Sequence, residues 1–389
     1  MPLEHEISPA IIEYNANIIK ENIATLRTLF PFSSKLLYSL KANNNLQLLM
    51  AMENRVDGFD IASEEEVALI IAIAAERKTL CLTGNDKRTI SISSLRQAAE
   101  KNKLLYSIES PQDFGLFCHL ITSGIDTEGL FRLSFYPGVR YGILNGLPGS
   151  PFGMTASVIN QLLATTPHEI IKKVIGFHLY IGSQLENPAL FSQSLASAIR
   201  EIETIEPQFV KHITTLNLGG GFPAVYGKRV PQQNSLLSAG SLSAEITELI
   251  AESSLCRVDL IFESGRAIVG SAGKLTCTIL DFNLQNRQPY IVVNSGIAQI
   301  GGLYLLRRLK EPELEFYSAV DSEHTSSQLI CKVFGPSCTQ LDMLGYTQIA
   351  KEQVKIGTTL YCDNLGAYCS TASLNGFHAK KKINEVIIS

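Results

Sequence analysis

The stretch Lys35-Leu36-Leu37-Tyr38-Ser39-Leu40-Lys41-Ala42-Asn43-Asn44-Asn45 reads as a short buried strand that stops at a lysine and then turns. Apolar and small residues fill the run before Lys41, and the three asparagines after Ala42 favour a turn. A lysine at the end of such a strand is expected to be poorly solvated. Burial disfavours its ammonium, and the resulting amine can form a Schiff base with an aldehyde. The plain alternative is a strand-end lysine whose stem packs while its ammonium reaches water.

The same pattern recurs outward from Lys41. Upstream, Pro9 to Phe30 begins extended and becomes helical, with Ile19, Ile23, Leu26 and Leu29 at helical spacing before Pro31. Downstream, Gly58–Ala62 is a short strand, Ser63 is the N-cap of a following helix, and Glu64 to Glu66 fill its first turn. Further short strands are predicted at Thr79–Thr83, Leu105–Ile108, Gly129–Ser134, Val174–Ile181, Thr215–Leu218 and Val258–Phe262. Strands therefore alternate with helical stretches up to Gly265, which predicts a parallel sheet and an eight-stranded α/β barrel. After Gly265 the texture is β-rich, at Lys274–Leu280, Tyr290–Asn294, Gln328–Phe334 and Thr358–Cys362, with Gly and Pro turns. It predicts a second, mostly antiparallel β domain.

Composition narrows the function classes. The 389 residues can bury a sizeable core, and a net charge of -4 gives no sign of a nucleic-acid or anionic-membrane partner. The first six residues have neither a basic nor an apolar region of a signal peptide, and the apolar run Val67 to Ala75 is too short to span a bilayer. Eight cysteines without a CxxC pair are expected to be reduced thiols in a cytoplasmic protein, and no metal site is expected.

The residues that carry chemistry fall at strand ends, where barrels of this class place their sites. Asp60 follows one strand, and Arg132 lies within another, a costly position for a charge without a partner. His178-Leu179-Tyr180-Ile181-Gly182-Ser183 ends a third, with alternation placing His178 and Tyr180 on one face. Gly219-Gly220-Gly221 follows a fourth and would let backbone amides approach a phosphate. Glu263-Ser264-Gly265-Arg266 ends a fifth, where a carboxylate needs a cationic partner, either Arg266 or a protonated ring nitrogen. Gly335-Pro336-Ser337-Cys338-Thr339 and Gly366-Ala367-Tyr368 read singly as turns.

Taken together and in order, these motifs, with Tyr38–Ala42, Phe59–Ser63 and Asn375-Gly376-Phe377, resemble the fold-type III pyridoxal-phosphate-dependent decarboxylases. That group includes the ornithine and diaminopimelate decarboxylases. The resemblance implies a cofactor-binding barrel over residues 27–265 and a β domain from residues 1–26 plus 266–389. It further implies a head-to-tail homodimer in which each site borrows Cys338 from the other subunit. Carried over by residue, it implies that Lys41 holds the aldehyde of pyridoxal 5'-phosphate and Glu263 faces the pyridine nitrogen. Gly219, Gly220, Gly221, Ser183, Arg266 and Tyr368 would bind the phosphate, Gly265 would belong to the cofactor site, and Asp60 and Arg132 would lie nearby. Cys338 would return a proton to the substrate carbon, and Cys338, Thr339 and Tyr368 would contact substrate.

Three positions depart from the family pattern. The position of the stacking histidine is taken by Tyr180, with His178 two residues earlier on the same face, so that the resemblance leaves both rings as candidates for stacking on the cofactor. The proline of Glu-Pro-Gly-Arg is Ser264. The acidic residue that follows the cysteine in diamine-acting relatives is Thr339, which resembles the branch serving siderophore and antibiotic assembly. The expectation is a decarboxylase for an amino acid with a bulky or polyacidic distal group. The alternatives are diaminopimelate decarboxylase, an amino-acid racemase on the same cofactor, and a non-catalytic regulatory homologue.

Overall fold

Strand β1 (Ile11–Asn15) is the first element among the described residues, and the helix Ala16–Leu29 follows it. Eight strands then follow: β2 (Lys35–Ser39), β3 (Gly58–Ile61), β4 (Thr79–Leu82), β5 (Lys103–Ile108), β6 (Thr127–Arg132), β7 (Val174–His178), β8 (Thr215–Asn217) and β9 (Asp259–Ser264). Each pairs in parallel with the next, and β2 pairs with β9 to close the barrel. The computed structural model describes residues 7–136, 151–185, 187–228, 240, 242–300, 314–319 and 328–389. Residues 1–6, on which the signal-peptide reading rests, lie outside the described residues.

The eight-stranded barrel is the architecture expected. Parallel neighbours require crossovers, and helices supply them: Glu64–Ala72 after β3, Ile92–Lys101 after β4, Pro111–Thr122 after β5 and Pro188–Ile202 after β7. Their starts follow from local chemistry. Ser63, Ser91 and Ser110 each accept a hydrogen bond from the amide three residues on, and Asn187 caps its helix from the side chain. Leu37, Cys81, Leu105, Leu130 and Ile261, from β2, β4, β5, β6 and β9, form one buried cluster. Side chains from strands so spread around a closed barrel can meet only in its interior.

The described residues form two compact units, one comprising Lys20–Pro223 and Gln233–Gly265, the other Met1–Ile19, Ala224–Gln232 and Arg266–Ser389. The second unit contains β1 with β10 (Gly273–Asn283), β11 (Tyr290–Val293), β12 (Leu314–Phe316), β13 (Gln328–Phe334), β14 (Met343–Ala350), β15 (Thr359–Cys362) and β16 (Asn384–Ile388). Its strand order is β12-β14-β13-β11-β10-β1-β16, with β15 also on β10. Antiparallel pairs are in the majority, as expected, while β1–β16, β11–β13 and β12–β14 are parallel. Ile12 and Tyr14 of β1 are fully buried, and the Tyr14 hydroxyl donates to Glu385 on β16 at 2.6 Å. All eight cysteines are free thiols. Among the described residues, no helix is long and apolar enough to cross a membrane.

Glu66 shows how the barrel scaffold meets its charged rim. Its amide donates to Ser63 Oγ, and its carboxylate accepts from the Ala62 amide at 2.7 Å. Only 8% of the residue is exposed. Burial raises its carboxyl pKa most and Asp60 adds to this. The Ala62 hydrogen bond and the Lys41 charge oppose it, leaving a value of about 7 against the ordinary 4.5. A folded-state value above the unfolded one means that Glu66 contributes most below about pH 4.5, and that this contribution is lost as pH rises through about 7. Glu66→Gln keeps an acceptor for Ala62 without the charge. It should leave stability nearly unchanged near pH 4.5 and raise it near pH 8 by about 3 kcal/mol, read from urea midpoints. A variant less stable than the parent near pH 8 would refute this account.

Candidate active site

Because all eight barrel strands run the same way, their C-terminal ends share one mouth, and almost every end presents a polar side chain. Lys41 follows β2, Asp60 lies in β3, Thr83 follows β4 and Glu109 follows β5. Arg132, His178 and Asn217 are the last residues of β6, β7 and β8, and Glu263 is next to last in β9.

Lys41 departs from expectation in one respect. It sits on the one-turn segment Leu40–Ala42 directly after β2, and its side chain is 56% exposed. The strand closes at Ser39, so the turn lifts the ammonium out of the apolar run. Its position is set from both sides: the buried Tyr38 hydroxyl donates to the Asn43 carbonyl at 2.7 Å, and Gly265 packs so closely that a Cβ there would press on Ala42. Lys41 Nζ donates to Asp60 Oδ2 at 3.1 Å, while Thr83 Oγ1 donates to Asp60 Oδ1 at 2.6 Å. Asp60 is 2% exposed, so a buried carboxylate anchors an accessible amine.

Glu263 is buried, and Asn217 Nδ2 donates to its Oε1 at 2.7 Å. His178 Nε2 stands 3.7 Å from the same oxygen, and its Nδ1 is 2.8 Å from Ser107 Oγ. Burial pushes the Glu263 carboxyl up, but the charges of His178 and Lys41 and the Asn217 hydrogen bond together outweigh it. The net effect holds the carboxyl well below the usual range, so Glu263 is an anion. The Cys81 thiol lies beside this group, 3.5 Å from Asn217 Nδ2, and burial keeps it protonated. Cys81, His178 and Glu263 are the cluster among the described residues close enough to share a metal ion.

The alternation expected to align His178 with Tyr180 does not hold. β7 ends at His178, whose ring is buried toward Glu263, and the chain then leaves the strand. Tyr180 is half-buried, its hydroxyl 2.7 Å from Ser183 Oγ and its ring 5.9 Å from the Arg132 guanidinium carbon. The unpaired charge feared for Arg132 is answered by Glu109 at 2.9 Å. Glu109 also accepts from the Gly84 amide and lies 3.8 Å from buried Lys87, which donates to Asp113 at 2.6 Å.

The glycine run is dictated by packing. A Cβ at Gly219 would collide with the Leu179 carbonyl, and one at Gly221 with the Gly182 carbonyl, and both residues take positive φ, 67° and 107°. The loops after β7 and β8 thus touch backbone to backbone, and a Cβ at Gly220 would press on the Glu263 carbonyl.

In the second unit, the Arg266 guanidinium stacks over the Tyr368 ring at 4.9 Å. Cys338 is exposed, and its Sγ lies 3.5 Å from His378 Nε2. Thr339 Oγ1 accepts from the Leu341 amide. Asp342 is fully buried, and its carboxylate accepts from the Ile297 and Ser337 amides at 2.7 and 2.8 Å. Residues missed from sequence include Asn217, Thr83, Ser107, Lys87 and Glu109. Asn217, Thr83, Ser107 and Glu109 share one signal, position at or just past a strand end, which Lys87 on the one-turn segment Lys87–Thr89 does not have. His378 directly follows the noted Asn375-Gly376-Phe377 run.

Comparison with known proteins adds independent support. Residues 16–270 match the model of the pyridoxal-dependent decarboxylase family's pyridoxal-binding domain. The chain is 23% identical over 396 residues to a diaminopimelate decarboxylase of Campylobacter jejuni, covering 99% of this chain and 92% of that one. It is 22% identical to a lysine/ornithine decarboxylase of Selenomonas ruminantium, covering 92% and 85%. Among solved structures, the Selenomonas ruminantium lysine decarboxylase superposes with a TM-score of 0.76 at 17% identity, covering 100% of this chain and 93% of that one. The cadaverine-bound lysine/ornithine decarboxylase of Vibrio vulnificus gives 0.74 at 19% identity, covering 98% and 94%. The structural likeness shows the shared fold. The family match spans well over half the chain, from before the barrel's first strand to beyond its last, and the chain belongs to the pyridoxal-dependent decarboxylases, enzymes that use pyridoxal phosphate to remove CO2 from amino acids.

Proposed function

We propose that this decarboxylase acts on an amino acid whose distal end carries carboxylates or hydroxyls, such as a citryl-conjugated diamino acid of siderophore assembly. The observation that carries the reading is the state of the Cys338 loop. Thr339 is neutral and caps Leu341, and Asp342, the nearest carboxylate in sequence, is buried against two backbone amides. Neither offers a counter-ion to a distal ammonium, whose unpaired burial costs several kcal/mol. Diaminopimelate decarboxylation is the second reading, favoured by the names of several relatives at 22–24% identity. CO2 release measured over a panel of amino acids separates the two, and efficient turnover of diaminopimelate would overturn the first.

The barrel residues fit pyridoxal phosphate on three counts. The accessible Lys41 amine, anchored by Asp60, suits the aldehyde. The buried Glu263 anion suits a protonated ring nitrogen. The closely packed Gly219–Gly221 loop and Ser183 suit the phosphate. When bound, the cofactor supplies a sink for the electron pair left as CO2 departs. Glu263 would keep the ring nitrogen protonated, with Asn217 and His178 holding the carboxylate ionised. Because His178 is committed to Ser107 and Glu263, Tyr180 is the ring free to lie on the cofactor's face, held by Ser183 and Arg132. Asp60 would orient the Lys41 amine while substrate displaces it and again while product leaves. Cys338, drawn from the other subunit of a head-to-tail homodimer, would return the proton to the substrate carbon. Eight free thiols suit a cytoplasmic setting.

The purified protein should be yellow, and Lys41→Ala should abolish both its visible absorbance and CO2 release. A colourless protein that stays colourless with added pyridoxal phosphate would refute this. Glu263→Gln should retain the cofactor yet lose about 100-fold or more in kcat, roughly 2.7 kcal/mol of transition-state stabilisation. Near-normal turnover would assign Glu263 a structural role only. Thr339→Glu should raise kcat/KM for lysine or diaminopimelate about tenfold relative to a polyacidic substrate, roughly 1.4 kcal/mol. An unchanged ratio would mean that this position does not read the distal group.

A further inference from the structure

We infer that His378 is the positioning residue for the Cys338 thiol, holding it in place and returning its proton after each turnover. The inference rests on the reading of Cys338 as proton donor for its use in catalysis, and on geometry alone for the pair itself. Cys338 Sγ and His378 Nε2 are 3.5 Å apart, within hydrogen-bonding reach for sulfur.

The chain is shaped to bring them together. The loop carrying Cys338 is pinned from beneath: Asp342 accepts from the Ser337 amide, and the Gly335 amide donates to the Asp342 carbonyl. A Cβ at either Gly296 or Gly335 would press against the Asp342 carboxylate. His378 stands on a tight turn in which Gly376, His378 and Ala379 all take positive φ. The Ala379 and Lys380 amides close that turn on Gly376 and Phe377. The imidazole leans on the Phe377 ring at 4.3 Å, which orients it. Phe377 also ties back through its amide to Leu374, and Leu374 through its amide to Ile297, whose own amide is held by Asp342. The buried carboxylate thus organises both loops of the pair, and the His378 charge reaches it electrostatically.

Protons balance over one cycle. The thiol gives its proton to the substrate carbon, and the thiolate takes one from the protonated imidazole. The imidazole then takes one from water. No oxidant or reductant is involved. Asp342 bears on the pair electrostatically, and the segment of His378 itself carries Lys380, Lys381 and Lys382. Lys382 is paired with Glu385 at 2.9 Å.

The test is the pH profile of Cys338 alkylation by iodoacetamide in the holoenzyme, read by peptide mass spectrometry so that exposed Cys256 is scored separately. The expected result is a Cys338 rate that already rises in the imidazole range, near pH 6.5, well below the ordinary thiol range of about 8.5. His378→Ala and His378→Gln should both remove that lower step and slow alkylation near pH 7 about tenfold, with the cofactor absorbance unchanged. Glutamine can still hydrogen-bond sulfur but carries no proton to return, so rescue by His378→Gln would overturn proton return. A single step in the thiol range for the unmodified holoenzyme would overturn the pair, even if neither variant folds. A lower step without CO2 release from any amino acid would support the pair and overturn its use in decarboxylation. CO2 release with a single step would keep the decarboxylase reading and overturn this inference.

Discussion

The pairing of β2 with β9 is the constraint on which the barrel depends. Leu36, Leu37 and Tyr38 lie opposite Phe262, Glu263 and Ser264, and this register turns a row of eight parallel strands into a closed ring. It removes both sheet edges and brings residues more than two hundred positions apart to one rim. The register also fixes chemistry. It sets the Lys41 turn beside the end of β9, where Gly265 leaves just enough room for Ala42.

Closing a ring of polar strand ends over an apolar interior gathers charge where water is scarce. An unpaired charge there would cost several kcal/mol, so each must have a partner. The rim meets this with shared partners: Asp60 serves Lys41 and Thr83, Asn217 serves Glu263 and the Gly219 amide, and Glu109 serves Arg132 and the Gly84 amide. Glu66 is the exception that shows the rule. Its one backbone partner does not offset burial beside Asp60, and its carboxyl is pushed up to about 7. Glu263, buried still more deeply, goes the other way because cationic neighbours and an amide face it. Two carboxylic acids on one rim are thus given opposite proton affinities by their neighbours alone.

The second unit uses one buried carboxylate differently. Asp342 spends its acceptor capacity on backbone amides, and in doing so shapes the loop that presents Cys338 and the approach of the segment carrying His378. The Asp342 carboxylate is therefore committed to the fold of these loops.

The local features of this protein were legible in its sequence. The strand rhythm, the Ser63 cap, the change of texture after Gly265 and the positions of Lys41, Asp60, Arg132, His178 and Glu263 at strand ends all follow from residue-by-residue periodicity and turn chemistry. These depend on a few neighbours along the chain. What the sequence left undecided depends on neighbours far apart in it. Lys41 proved exposed because β2 stops at Ser39 and not at Leu40. His178 and Tyr180 part company because β7 ends between them, so that one ring is drawn inward to Glu263 and the other toward Ser183. Partners such as Asn217, Thr83, Lys87 and His378 carry no motif of their own. Hydrogen bonds and ion pairs form across space, and only barrel closure and the folding of the second unit determine which polar groups come within 3 to 4 Å of one another.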